Sequence, residues 1–485
     1  MQKLGRSLAQ IAGRFLFLGV SVQILLGICW SVRSFGIFPE FGDSYTWLKA
    51  SETLVCDDYM GIGYPLFLML VKGIESISSI PYTFLADMVQ IVVAFVAGAV
   101  FLQACGVTGR TFLCWGSLGL LTFPCAMQTH LAVLPNSLGY SFLLLELSVL
   151  LRILRQDVAP LHGMFRAGIW WGLSTLFVVE NRYLGLVPLV TVGLIHLWQL
   201  RKGTIEKKRI GQELLLLAAM VGILFTLVPM WQTPGSYGKA ENTVSAAMMR
   251  RFCWTHMRDR EEYDEWPGQL RGQLEWEDIK RAGYYAGTME EGIQKTLEDR
   301  LGKAEAQKIF REYALYHLKT YTSDNLHQIV WDILGYGMPT VLLQLLLNGR
   351  GYDSFSGRNV DIMMTGDPRL TEVLLKYSYW WFLSGIAVMV ITGIVGGILT
   401  MAVRKKDRKT QKEIRQTSGN RGLFWQMTGL CVITATGMIL WYTLQDAGCL
   451  DYKNGLLPGS LWLVGMILGI HKTILNDRDT EEKTE

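Results

Sequence analysis

Charge is what this 485-residue chain has least of: Asp, Glu, Lys and Arg make up 18% of it, against roughly a quarter in soluble domains. The chemistry-bearing motifs are missing as well. There is no Walker A loop, no G-x-G-x-x-G, no H-E-x-x-H and no G-x-S-x-G, so nucleotide hydrolysis and the standard hydrolase chemistries have no signal. The eight cysteines contain no C-x-x-C pair and no His/Cys ligand spacing, which removes the usual zinc and redox signatures. Most of them lie in or beside apolar runs, as small hydrophobes do; Cys56, Cys253 and Cys449 are the ones whose positions allow an external disulfide. No internal repeat or low-complexity tract is visible, and the first apolar run lacks a small-residue cleavage site, so it reads as a retained span.

What is present is apolar sequence. Half of the residues are hydrophobic (50%), and they gather in runs that approach the roughly 20 residues needed to cross a bilayer. The runs fall at about 15–34, 83–104, 112–128, 131–151, 167–180, 183–200, 213–231, 377–403, 422–444 and 456–471. Lys and Arg collect between them: Arg110; Arg152, Arg155 and Arg166; Arg201-Lys202 with Lys207-Lys208-Arg209; and Arg404-Lys405-Lys406 through Arg415. If the ten runs alternate and the N-terminus, with Lys3, Arg6 and Arg14, stays in the cytosol, all four basic clusters fall on the cytosolic side, the pattern that orients membrane proteins. Counting the apolar segment 64–80 as a span would invert them all, so it is expected to pack in the outer half of the membrane; 338–347 is too short to span.

The expectation is an all-α polytopic protein of the cell membrane with about ten transmembrane helices, in a range of nine to twelve, and cytosolic termini. An N-terminal membrane module, 1–231, contains an amphipathic first external loop at about 35–80. A block at 232–376, mainly helical and external, has apolar residues at near-helical spacing over 290–322. Further membrane helices occupy 377–475 and a charged cytosolic tail 476–485. The basic loops adjoin spans, so orientation explains them and nucleic acid is not an expected partner; membrane lipids are.

Asp43, in Phe41-Gly42-Asp43-Ser44-Tyr45-Thr46-Trp47, is the leading candidate residue. One reading is a helix N-cap, accepting backbone N–H bonds; the other is a general base at the membrane surface. Asp57-Asp58, in the same loop, can bind a divalent metal through carboxylate oxygens or form a solvated turn. Arg182, flanked by apolar spans, is costly there unless paired or functional. It can hold a lipid phosphate or pair with Glu180 or Asp43. Lys453 can meet a phosphate or snorkel at the interface. Arg250, Arg251 and His256 open the external block and can form part of a donor site or a solvated face.

The stretch from the first span through Gly61-Ile62-Gly63-Tyr64-Pro65-Leu66-Phe67-Leu68 resembles the start of GT-C membrane glycosyltransferases, the group of protein O-mannosyltransferases and lipid A aminoarabinose transferases. Their first external loop carries an acidic residue, a Tyr and a small residue on a helix, then a Pro-containing apolar segment; Asp43, Tyr45, Ala50 and Tyr64-Pro65 stand at those places. The resemblance extends over about 1–200 and includes Leu134-Pro135-Asn136-Ser137-Leu138 and Asn181-Arg182-Tyr183-Leu184-Gly185. It implies sugar transfer from a polyprenyl-phosphate donor, with Asp43 as base and Arg182, Lys453, Tyr45, Tyr64, Arg250, Arg251 and His256 around the donor. Ser44 and Asn136 replace acidic companions common in the family, which leaves a divalent metal requirement open. The competing classes are a transporter or flippase for a lipid-linked saccharide, which would show repeats or broken spans in corresponding halves, and a non-catalytic membrane assembly protein.

Overall fold

A computed structural model describes 2–34, 44–56, 60–201 and 207–231 continuously, and then shorter stretches, chiefly 296–320, 430–440 and 456–481. Among the described residues every regular element is a helix, and an isolated antiparallel bridge joins Met60 to Val178. Helices follow in chain order: α1 (Gln2–Ser34), α2 (Ser44–Thr53), α3 (Gly63–Ser78), α4 (Tyr82–Ala104), α5 (Arg110–Leu121), α6 (Pro124–His130) and α7 (Asn136–Leu154). Then come α8 (Pro160–Phe177), α9 (Asn181–Leu184), α10 (Leu186–Arg201), α11 (Lys207–Trp231), α12 (Lys303–Thr320), α13 (Leu430–Leu440) and α14 (Leu456–Glu481).

Five stretches among the described residues are helical, long and apolar enough to cross a membrane: Gln10–Arg33, Tyr82–Ala104, Asn136–Leu154, Asn181–Arg201 and Ile210–Val228. In a bilayer only segments that satisfy their own backbone groups can span, and these do so. The chain is thus a polytopic helical membrane protein. The apolar runs are not all single helices. The run 112–128 divides where α5 ends at Leu121 and Pro124 opens α6, because proline has no N–H to continue a helix but suits its first turn. The run 131–151 becomes helical only at Asn136, after Pro135.

The centre of the bundle is α7. Its leucines are buried on nearly every side, from Leu138 and Leu143 to Leu151 and Leu154, whereas α11 exposes Leu215, Ile223 and Leu227. Helices that are apolar all round belong inside or against lipid, and both cases occur here. Side-chain bonds fix the helix directions. Gln90, early in α4, donates to the carbonyls of His130 and Ala132 just before α7, while Arg152 at the far end of α7 donates to Gln103 at the far end of α4. These two helices therefore run parallel. Gln23 of α1 donates to the Gly119 carbonyl of α5 and Trp115 to Ser21, so α1 and α5 run together the opposite way. At the other side, α14 begins beside Tyr140 and reaches Thr108 with His471.

The short helix α3 does not follow that alternation. Tyr64 at its start bonds Gln90, two turns into α4, and Glu75 near its end accepts from the Tyr82 backbone N–H where α4 begins. The sixteen residues of α3 thus lie beside the first part of α4 rather than across the bundle. Most of 232–376 lies outside the described residues; α12, an 18-residue helix, is described within it.

Candidate functional site at the first-loop end of the bundle

The loop joining α2 to α3 is seated by two glycines. A Cβ on Gly61 would come within 2.2 Å of the Leu176 carbonyl oxygen, and one on Gly63 within 2.9 Å of it. Only glycine lets backbone meet backbone this closely. The Met60–Val178 bridge adds the next contact. The first loop is therefore docked on the segment 176–178, directly before Asn181 and Arg182.

Around that dock the polar side chains form a dry network. Trp47 of α2 meets the Tyr64 ring edge-on at 5.7 Å, and the Tyr64 and Phe177 rings lie 6.4 Å apart. Tyr64 is fully buried and its hydroxyl donates to Gln90 Oε1 at 3.0 Å. Burial, with the Asp87 carboxylate adding to it, pushes the Tyr64 phenol well above its usual range, because the anion has neither water nor a cation. Gln90 passes the chain on through Nε2 to the carbonyls of His130 (2.9 Å) and Ala132 (3.0 Å). His130 in turn shares a 2.7 Å bond between Nδ1 and the Ser137 hydroxyl. Burial lowers His130 to about 3, so the ring is neutral near pH 7.

A second chain positions Arg182. Asn181 donates to Ser174 at 2.7 Å, Ser174 donates to the Gly139 carbonyl at 2.8 Å, and Trp171 donates to the Asn181 carbonyl at 3.0 Å. These bonds lock the single turn α9 against α7 and α8. Arg182 then extends over the Tyr183 ring, 4.6 Å from its centroid, and lies 5.4 Å from that of Phe225 in α11. Its Nε is buried and has no hydrogen-bond partner among the described residues, and it forms no ion pair with Glu180. A guanidinium held on aromatic faces keeps its donor edges for a ligand.

The sequence candidates therefore separate. Tyr64 and Arg182 lie at one end of the bundle, linked through 176–178. Tyr45 is exposed on α2. Tyr64 is buried and donates to Gln90. Asp43, Asp57, Asp58, Arg250, Arg251, His256 and Lys453 lie outside the described residues, as do Cys253 and Cys449; Cys56 is buried. Asn136, where the resemblance would place an acid, opens α7 beside Ser137. No group of three or more His, Cys, Asp or Glu side chains that could hold a metal occurs among the described residues.

Three polar residues of this end escaped the sequence reading: Gln90, Asp87 and His130. Gln90 and Asp87 carried a signal, since both lie inside the apolar run 83–104, where polar groups are costly unless bonded or functional. Glu146 belongs with them. It is wholly buried in α7, both carboxylate oxygens lack a hydrogen-bond partner among the described residues, and it abuts Gly185, where a Cβ would lie 2.8 Å from Oε2.

Helices of membrane length around a buried polar end define a class, the polytopic helical membrane proteins, and nothing narrower. No protein-family model matches the chain, and neither a curated protein nor a solved structure is significantly similar to it. The resemblance to GT-C glycosyltransferases rests on the residues quoted for it.

Proposed function

We propose that the chain is a GT-C-type integral membrane glycosyltransferase that moves a sugar from a polyprenyl-phosphate donor to an acceptor on the external face of the cell membrane. The observation that carries this reading is Arg182: a half-buried cation on two aromatic rings, with no carboxylate paired to it among the described residues, beside the dock of the first loop. A phosphate diester is the charge it lacks. In the proposed orientation about ten spans leave both termini cytosolic and 232–376 external; the opposite directions of α1 and α5 against α4, α7 and α14 are compatible with that alternation.

In the proposed reaction the Asp43 carboxylate takes the proton of the acceptor hydroxyl. The acceptor oxygen attacks the anomeric carbon from the face opposite the phosphate, forming the new glycosidic bond with inversion. The bond from the anomeric carbon to the phosphate oxygen breaks, and polyprenyl phosphate leaves with the electron pair. Arg182 stabilises that developing charge, with Lys453, Arg250, Arg251 and His256 as the further cationic candidates. In a partly dry site a preorganised cation is the larger contribution, and the general base adds about 10²–10⁴-fold.

The test uses purified protein and a panel of polyprenyl-phosphate sugars. Asp43→Asn should lower transfer by about 10²-fold or more while folding is intact. Arg182→Ala should lower it about as strongly, and Arg182→Lys should recover part, since charge is kept but the planar fork is lost. Unchanged transfer in Asp43→Asn would remove the base assignment; no transfer by wild type with any sugar on the panel would remove the enzyme reading.

A further inference from the structure

At the opposite end of the bundle, a cavity of about 490 Å³ opens between the α4–α5 turn and the end of α7. The turn is made by Gly106 and Gly109, with φ of 96° and 88°, conformations that glycine adopts at no steric cost. Arg110 and Arg155 line the cavity together with Gln103, Thr108, Val107 and Leu113, and no acidic side chain is among the lining residues.

The two arginines differ in how they are held. Arg155 is fixed: Nη1 donates to the carbonyl of Ala104 at 3.0 Å and, at 3.4 Å, to that of Gln103, while Nε pairs with Asp157 at 3.1 Å. It closes the C-terminus of α4, where a cation is favoured. Arg110 is exposed and makes no hydrogen bond or ion pair with a described residue. Arg152 stands close by, bonded to Gln103 Oε1 at 3.1 Å. Around the cavity, among the described side chains, these three arginines stand with the one carboxylate of Asp157.

Depth decides the ligand class. The cavity lies at the last turn of α4, whose 23 residues span about 34 Å at 1.5 Å per residue, close to the hydrocarbon thickness of a bilayer. The cavity is thus level with lipid headgroups, and Leu113 and Val107 give it an apolar side. We propose that this pocket binds the phosphate of an anionic phospholipid headgroup, with Arg110 and Arg155 as its cations. This site is separate from Arg182 and does not depend on the glycosyltransferase reading.

The test is lipid retention by native mass spectrometry of the full chain from nanodiscs of phosphatidylcholine with and without phosphatidylglycerol. Wild type should retain phosphatidylglycerol in preference. Arg110→Ala should weaken that retention about fivefold, the factor equivalent to about 1 kcal/mol for one Arg at an anionic surface. Arg110→Lys should keep most of it. In parallel, thermal unfolding in detergent is followed with inorganic phosphate alone. Protection by phosphate that Arg110→Ala abolishes, without lipid preference, would assign the pocket to a soluble phosphate instead of a headgroup. Equal phosphatidylglycerol retention in wild type and Arg110→Ala would overturn the proposal, as would equal retention of phosphatidylcholine.

Discussion

The two ends of the bundle handle polar groups in opposite ways. At the first-loop end Tyr64, Gln90, His130, Ser137, Ser174 and Asn181 are removed from water and bonded to one another or to the backbone. At the other end Arg110, Arg152 and Arg155 remain at least partly in contact with solvent; Arg152 and Arg155 bond to groups at the end of α4, and Arg110 bonds to no described residue. In a dry network each missing partner costs a full desolvation, a cost already carried by His130 Nε2 and Arg182 Nε, which are buried with no hydrogen-bond partner among the described residues. A wet charged rim loses little when one member is removed. The dry end is therefore where geometry is held tightly enough for chemistry, and the wet end is suited to orienting and anchoring the protein.

The largest effect should come from breaking the dry end. Gln90→Leu removes the acceptor for Tyr64 and the donor to two carbonyls, and at about 1–3 kcal/mol for each orphaned group the variant should unfold at clearly lower denaturant or temperature. A melting curve superimposable on wild type would show that the network carries no stability.

An intermediate effect should appear with pH. His130 titrates at 6.5 when unfolded and near 3 in place. Its folded value is the lower one, so the contribution is fully present above about 6.5. Below that the unfolded chain takes a proton the folded chain refuses, and stability is lost as pH falls toward 3, by up to about 1.4 kcal/mol per pH unit. His130→Gln, neutral throughout, should flatten the stability profile between pH 6.5 and 4 by that slope; identical slopes would refute the assignment.

The smallest effect belongs to the wet end. Arg110→Ala should change folding stability by no more than about 0.5 kcal/mol, read from the same melts, even where lipid retention changes. A loss as large as that of Gln90→Leu would erase the distinction between the two ends.

Much of the helix pattern could be read in the residues. The five membrane-length helices overlap the runs at 15–34, 83–104, 131–151, 183–200 and 213–231, and the start of α8 at Pro160 precedes the run at 167–180. Apolar length and proline placement are local properties, so sequence carries them. The site was legible only in part. Arg182 stood out because a cation between apolar spans needs a reason. Gln90 carries the same kind of signal inside the run 83–104, but that it meets His130, 40 residues on, is a relation no local pattern shows. Tyr64 was legible only through its place in a motif; its bond to Gln90, 26 residues on, is a tertiary relation.

By itself, the sequence determined that this is a helical membrane protein, and through its arginine clusters which helix ends should share a side. Those follow from hydropathy and charge, which each residue carries wherever it folds. The tertiary structure alone decided that the first loop docks on 176–178, that Arg182 lies on Tyr183 and Phe225 without a paired carboxylate among the described residues, and that Arg110 and Arg155 face one cavity. Those are relations between residues far apart in the chain, and only packing brings them within reach of one another.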